Sequence, residues 1–182
     1  MREDITIAAA QADMRSGYLA GAPGVVASSA AWLAAGAVAL SVSSSAAVWT
    51  LLVAGAFIHP VGVLLAKLLG APGKHQAGNP MARLAVESTF WMLAGILVAI
   101  GISLLRIEWF FPAMLLVIGG RYLTFRTIYG LAIYWALGAA LCIAAVGLIF
   151  LKAPVPISAL VGGLMELGFA FVLLKSAGNS AA

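Results

Sequence analysis

The sequence predicts an all-α integral membrane protein with six transmembrane helices and both termini on the inside. Apolar residues make up 64% of the 182 residues, and charged residues only 9%. An ordinary soluble domain has roughly 25% charged residues. The apolar residues also form long blocks rather than an alternating pattern, which favours helices over a β-barrel. A bilayer accepts such blocks because a helix satisfies its own backbone polar groups.

The first predicted element is an N-terminal segment, residues 1–18, on the cytoplasmic side. It contains three carboxylates and lacks the continuous apolar core of a signal peptide. Ile7, Met14 and Tyr18 fall on one face of a helix. The segment therefore fits either an interfacial helix or a frayed tail.

Six apolar blocks follow within residues 19–175, and each is long enough to cross a hydrocarbon layer, which takes about 20 helical residues. They comprise residues 24–42, 47–69, 84–105, 108–129, 131–151 and 155–174. Pro60 lies inside the second block, and Pro112 lies in the first turn of the fourth, where its missing N–H costs little. Residues 176–182 are predicted to form a disordered tail.

The basic residues predict the orientation of these spans. With the N-terminus inside, only Arg106 and Lys152 lie on the outer side. The inner side collects Arg2, Arg15, Lys67, Lys74, Arg83, Arg121, Arg126 and Lys175. This bias predicts a multi-pass protein of the cell (inner) membrane.

A short pattern, Leu-Val-x-Gly, recurs in the second, fourth and sixth blocks, at residues 52–55, 116–119 and 160–163. It suggests three copies of a helical hairpin. Chance similarity is an equally good explanation, because Ala, Gly, Leu and Val dominate the chain.

Three ionisable side chains lie deep in the even-numbered blocks: His59, Arg121 and Glu166. Each costs roughly 2.5–3.5 kcal/mol at the centre of a spanning helix, so each needs a partner, water or a ligand. The first hypothesis is that all three line one midplane cavity. The protein would then be a transporter or channel for a small solute or ion.

Each of these residues also has a structural interpretation. Glu166 is either a functional group, as a proton or cation site or the partner of Arg121, or a neutral or paired carboxyl that fixes helix packing. Arg121 either binds an anion or extends its side chain to the surface, and Tyr122 beside it belongs to a pocket wall or to an interfacial aromatic belt. His59 precedes Pro60 and is either part of a gate or a packing residue.

A second hypothesis places a binding site at the inner leaflet. Arg83, Glu87, Arg121 and Arg126 would hold an anionic head group in a membrane enzyme or lipid-binding protein. Glu87 also stands four residues after Arg83, the spacing of a surface ion pair on a helix. A third hypothesis is a structural module that only assembles with partners.

Several function classes lack their usual residues. The chain has no His-x-x-x-His pair, no paired aspartates and no Gly-x-Gly-x-x-Gly, so we predict no metal, no cofactor and no catalytic residue, which argues against an enzyme. The net charge of +4 comes from single basic residues at block ends, so nucleic acid is not a predicted partner. The predicted partners are the lipid bilayer, further copies of the chain in a homo-oligomer, and a small solute, ion or anionic lipid.

Residues 119–129 read Gly-Gly-Arg-Tyr-Leu-Thr-Phe-Arg-Thr-Ile-Tyr. The segment resembles the signature Gly-Ala-His-Phe-Leu-Pro-Tyr-x-x-Leu-Tyr of a family of small bacterial integral membrane proteins of unknown function. Pro60, Lys67 and the Asn-Pro-Met run at residues 79–81 are similar to that family's Phe-Pro, Lys and Asn-Pro-Leu elements. The resemblance covers residues 57–138 and implies a fold but no activity. Arg121 stands where the signature has histidine, so a site built on imidazole in relatives would hold a permanent cation here.

Overall fold

A computed structural model describes residues 5–179, with side chains through residue 175, and every regular element among them is helical. The α-helices are α1 (Ile7–Tyr18), α2 (Ala22–Ser41), α3 (Ser44–Leu68), α4 (Pro80–Leu105), α5 (Phe110–Tyr129), α6 (Ile133–Phe150) and α7 (Val155–Asn179). Short 3-10 turns, Leu19–Gly21 and Ile107–Trp109, precede α2 and α5. The all-helical fold class is confirmed, and α2 to α7 follow the six predicted blocks.

Five helical runs in the described part of the chain are long and apolar enough to cross a membrane. One run joins α1 to α2 as Ile7–Ser41, and the others are α3, α4, α6 and α7 as far as Lys175. The exception is α5, because Arg121 and Arg126 make it less apolar than its neighbours. These helices are those of a multi-pass membrane protein.

The N-terminal helix α1 is attached to one end of the bundle. The Thr6 hydroxyl accepts from the Ala9 N–H and caps the helix. Gln11 Nε2 donates to the Thr127 carbonyl (2.7 Å), which joins α1 to the end of α5. Of the two predicted alternatives, residues 7–18 of the segment are therefore helical, residues 1–4 lie outside the described residues, and the attachment to α5 was not predicted.

The loop between α3 and α4 holds α1 from the other side. Asp13 Oδ2 accepts from the Gln76 N–H (2.9 Å) and from Asn79 Nδ2 (2.6 Å). Gly17 is needed at this contact, because a Cβ there would overlap the Lys74 carbonyl oxygen. The helix α1 thus covers the end of the bundle where α3 and α5 finish and α4 and α6 begin.

Small residues let α2 and α7 pack closely. A Cβ on Gly36 would lie 2.7 Å from Leu160, and one on Gly163 would lie 2.7 Å from Leu33. Ser29 Oγ donates to the Gly163 carbonyl (2.9 Å) across this contact. Small residues with hydrogen-bonding hydroxyls are typical of helix contacts inside membranes.

The helix α5 packs in the same way between α4 and α6. A Cβ on Gly119 would lie 2.9 Å from the Gly138 carbonyl oxygen of α6, and one on Gly95 of α4 would lie 2.7 Å from Val117. Larger rings join α5 to α2, where Trp32 and Phe111 meet edge to face at 5.7 Å. Two closely packed groups of helices, one with α2, α3 and α7 and one with α4, α5 and α6, therefore meet where α5 and α6 contact α7.

The last helix is longer than predicted. The α7 backbone continues to Asn179, past residue 175, where the predicted transmembrane domain ended. The first four residues of the predicted disordered tail are therefore helical in backbone. Residues 180–182 of that tail lie outside the described residues.

Candidate functional site

Glu166 is the one carboxyl in the buried core of the described residues, with 1% of its surface exposed. It lies near the middle of the apolar run Val155–Lys175. Its Oε1 accepts from the Tyr122 hydroxyl at 2.8 Å, whereas its Oε2 is buried without a hydrogen-bond partner. The carboxyl is therefore half satisfied, and an uncompensated charge there would cost several kcal/mol.

Three helices supply the walls of this site. Tyr122 comes from α5 and Glu166 from α7, and Ser28 of α2 lies beside both without completing a hydrogen bond to Oε2. Ser28 and Tyr122 are each 5% exposed. The site thus sits where the two groups of helices meet.

A stack of tyrosine rings connects this site with the end of the bundle that α1 covers. The Tyr122 and Tyr134 rings stack at 5.9 Å, and the Tyr134 and Tyr129 rings stack at 5.5 Å. The Tyr134 hydroxyl donates to the Ala20 carbonyl (2.6 Å) in the turn after α1. Arg15 of α1 donates from Nη1 to the Tyr129 carbonyl (2.6 Å). Glu166 is therefore joined to α1 through a line of aromatic side chains.

Arg121 has a different environment from Glu166. Its Nη1 contacts Met92 Sδ (2.6 Å), its Nη2 donates to Thr89 Oγ1 (3.1 Å), and its guanidinium lies 5.4 Å from the centre of the Phe125 ring. Its Nε is buried without a partner. Every described contact of this cation is with a neutral group.

The other predicted residues lie nearer the surface. Glu87 of α4 is exposed and lines the same groove as Arg121. Arg126 is half-buried and lines a separate, shallow groove of about 550 Å³ with Gln11 and Trp135. His59 is exposed on α3 beside Pro60.

The structure therefore pairs Tyr122 with Glu166 and places Glu87 with Arg121, but it does not bring His59, Arg121 and Glu166 into one cavity. Consecutive helical residues project about 100° apart, so Arg121 faces α4 while Tyr122 faces α7. The alternative in which Arg121 pairs with Glu166 is not what the structure shows. The exposed position of His59 on α3 separates it from both.

Two residues of the site were not predicted from the sequence. Ser28 had a usable signal, because Ser28 and Ser29 are adjacent hydroxyls in an otherwise apolar block. Tyr134 had none, because an aromatic residue near a helix end fits an interfacial belt equally well. The described residues contain no group of three His, Cys, Asp or Glu side chains that could hold a metal ion.

Comparison with known proteins places the chain in a family without assigning an activity. No curated protein and no solved structure matches it. A family model described as "Family of unknown function (DUF7010)" matches residues 7–176, from the start of α1 into α7. This match supports the predicted membership of a family of unknown function, while the signature at residues 119–129 stays a prediction. The chain belongs to the DUF7010 family of unknown function.

Proposed function

We propose that this protein is a transporter that moves a small solute together with protons, with Glu166 as the group that binds the proton. The proposal depends on one observation: a carboxyl near the middle of an apolar helix is buried, and only one of its oxygens has a hydrogen-bond partner. Ionisable groups at this depth commonly belong to substrate paths or proton relays.

The hydrogen bond between Tyr122 and Glu166 supports a transport cycle in which the two groups of helices move relative to each other. The Tyr122–Glu166 hydrogen bond joins α5 to α7, and therefore one group of helices to the other. Such a bond inside a membrane is worth roughly 0.6–1.7 kcal/mol, so it can break and re-form at little cost. A protonated Glu166 can donate one hydrogen bond, whereas an ionised Glu166 can only accept them. Gain or loss of this proton therefore changes the strength of the contact with Tyr122.

The route to the nearer surface passes the tyrosine rings and ends at α1. Opening it requires that α1 and its turn move, because Arg15 holds the Tyr129 carbonyl and Tyr134 holds the Ala20 carbonyl. In the proposed cycle α1 closes this end while Glu166 exchanges its proton with the other side.

In the proposed topology α2 to α7 each cross the cell membrane, with the end covered by α1 facing the cytoplasm. The helix α5, fourth in chain order, completes the six spans even though it is less apolar, since α4 and α6 pack against it. The basic residues favour this orientation, because Arg15, Lys67, Lys74, Arg83 and Arg126 would then lie on the cytoplasmic side. We also propose that the protein self-associates, with the exposed His59 face of α3 as the contact.

The competing interpretation is structural: the Tyr122–Glu166 bond would only hold α5 against α7. The two interpretations differ in one measurable property. If the bond is only structural, Glu166→Gln should preserve it, because glutamine still offers an oxygen to the Tyr122 hydroxyl. If Glu166 binds the proton, Glu166→Gln should abolish function, because glutamine cannot titrate.

The test is proton movement in proteoliposomes. The purified protein is reconstituted with a pH-sensitive dye inside, a pH gradient is imposed, and a panel of cations, anions and neutral polar solutes is added in turn. We expect at least one solute to accelerate proton movement with the wild-type protein and not in empty liposomes. Glu166→Gln should abolish that acceleration, whereas Glu108→Gln, at an exposed carboxyl in the turn before α5, should not.

Two outcomes would remove the proposal. One is the absence of solute-dependent proton movement across the panel, and the other is wild-type behaviour of Glu166→Gln. Size-exclusion profiles of both variants establish that a loss of activity is not a loss of folding.

A further inference from the structure

A groove between α4 and α5 is independent of the Glu166 site. Its volume is about 390 Å³, within the range of about 300–1,000 Å³ typical of small-molecule sites. Its polar end is formed by Glu87, Ser88, Arg121 and Thr124, and its apolar end by Gly95, Leu116 and Val117. Trp91 lies along it and is 80% exposed, so the groove opens on the outer surface of the bundle.

The polar end contains a cation with unused donors. A guanidinium has five N–H groups, and the described partners of Arg121 use two of them, one on a thioether and one on a hydroxyl. Such a group in a membrane calls for an anion, and a planar guanidinium matches a phosphate in a bidentate way. Arg121 is therefore suited to bind a phosphate or a carboxylate.

The polarity of the groove changes along the membrane normal. Glu87 and Thr124 lie towards the end of the bundle that α1 covers, because α4 begins and α5 finishes there. Gly95 and Leu116 lie farther into the bundle. A ligand that fits this gradient has a polar head directed towards the α1 side and an apolar tail directed to the membrane centre, which describes a lipid better than a free ion.

Glu87 restricts the kind of head group. It is exposed, lines the same polar end as Arg121, and would repel a head group with a second negative charge. A primary or methylated ammonium, in contrast, would meet the Glu87 carboxylate and the face of the Trp91 ring. The pair of opposite charges in one groove thus matches a phosphate and an amine held together.

From this arrangement we infer that the groove binds one zwitterionic phospholipid, with its phosphate on Arg121, its amine at Glu87, and its acyl chains along α4 and α5. The inference does not depend on the proposed transport activity, since Glu166 is not among the residues that line the groove.

Native mass spectrometry of the whole protein tests it. The protein is released from vesicles that contain equal amounts of phosphatidylethanolamine and phosphatidylglycerol, and the retained lipid is identified. We expect one retained phosphatidylethanolamine, preferred several-fold over phosphatidylglycerol. Arg121→Gln should reduce retention of both lipids at least tenfold, and Glu87→Gln should remove or reverse the preference.

Two further variants keep the test decisive. Arg106→Gln removes a cation that lies over the Trp109 ring outside the groove, and it should leave retention unchanged. Trp91→Ala alters a side chain that is 80% exposed, so we expect this variant to fold and to retain less lipid, and it serves as the test if Arg121→Gln fails to fold. Retention that is the same in Arg121→Gln and Trp91→Ala as in the wild type would overturn the inference, as would a wild-type preference for phosphatidylglycerol.

Discussion

Asn79 offers the sharpest test of how α1 is held on the bundle. Its Nδ2 donates to the Ala10 carbonyl (3.0 Å) and to Asp13 Oδ2 (2.6 Å), and its Oδ1 accepts from the Met81 N–H (2.8 Å) at the start of α4. The side chain is 4% exposed. One residue therefore fastens α1 and caps α4, and Asn79→Ala removes both functions together.

The size of the effect follows from the bonds lost. A hydrogen bond to a neutral group contributes about 0.5–1.5 kcal/mol and one to a charged group about 1.5–3 kcal/mol. We take the lower end of their sum, about 2 kcal/mol, because water replaces part of the half-buried Asp13 bond. A free-energy change of about 2 kcal/mol makes opening of α1 about 30-fold more frequent.

Hydrogen exchange in lipid nanodiscs measures this opening. In Asn79→Ala the amides of residues 10–18 should exchange about 30-fold faster, and those in the first turn of α4 should also lose protection. Asn79→Asp separates the two functions, because its oxygen still caps α4 while its charge repels Asp13. The first turn of α4 should then stay protected and α1 should not.

A matched control removes a different helix cap. The Ser43 hydroxyl accepts from the Ala46 N–H at the start of α3, and Ser43→Ala should leave α1 exchange unchanged. The reasoning is refuted if α1 exchanges at the wild-type rate in Asn79→Ala, or if Asn79→Asp protects α1 as well as asparagine does.

Two further predictions concern packing, and both use the apparent melting temperature in detergent. Gly163→Ala should destabilise the protein by about 1–3 kcal/mol, because its Cβ would lie 2.7 Å from the Leu33 side chain of α2. The control is Gly168→Ala on the same helix, whose Cβ would meet nothing within 4 Å and should change the stability little. Equal effects of the two would contradict close α2–α7 packing. Tyr134→Phe should lower the free energy of unfolding by about 1–2 kcal/mol, because it leaves the Ala20 carbonyl without its buried donor. Tyr18→Phe removes an exposed hydrogen bond and should lower it less. A larger loss of stability in Tyr18→Phe than in Tyr134→Phe would contradict this prediction.

The spans were predictable because lipid imposes a length and a composition on every helix that crosses it. Pro112 lies in the first turn of α5 as predicted, whereas α4 begins at Pro80, four residues before the predicted block, although proline favours the first turn of a helix. The position of Glu166 near the middle of its helix follows from the same block boundaries, and the structure buries this side chain.

The direction of a side chain around its helix was not predictable. In a soluble helix the polar face identifies the solvent, but here the lipid-facing and the buried residues are both apolar. On α4, for example, Leu97 is 71% exposed and Ala99 is fully buried, although both are apolar. Common depth was therefore mistaken for common direction when His59, Arg121 and Glu166 were assigned to one cavity.

The attachment of α1 was missed for a different reason. Its bonds join Asn79, Asp13 and Gln11 to partners far away in the sequence, and several of those partners are backbone carbonyls. A backbone carbonyl carries no sequence signal. Polar residues near a terminus look the same whether they are solvated or docked.

The position of α5 links the two proposed sites mechanically. Arg121 and Tyr122 are consecutive residues of one helix, so a rotation of α5 that carries Tyr122 away from Glu166 also moves Arg121 along α4. Met92 and Thr89 hold the guanidinium only through neutral contacts, which gives little resistance to such a rotation. A phosphate bound to Arg121 would add a charge-assisted contact that favours one rotational position. If both proposals hold, proton movement should therefore depend on the lipid supplied, and Arg121→Gln should remove that dependence while Glu166 stays in place.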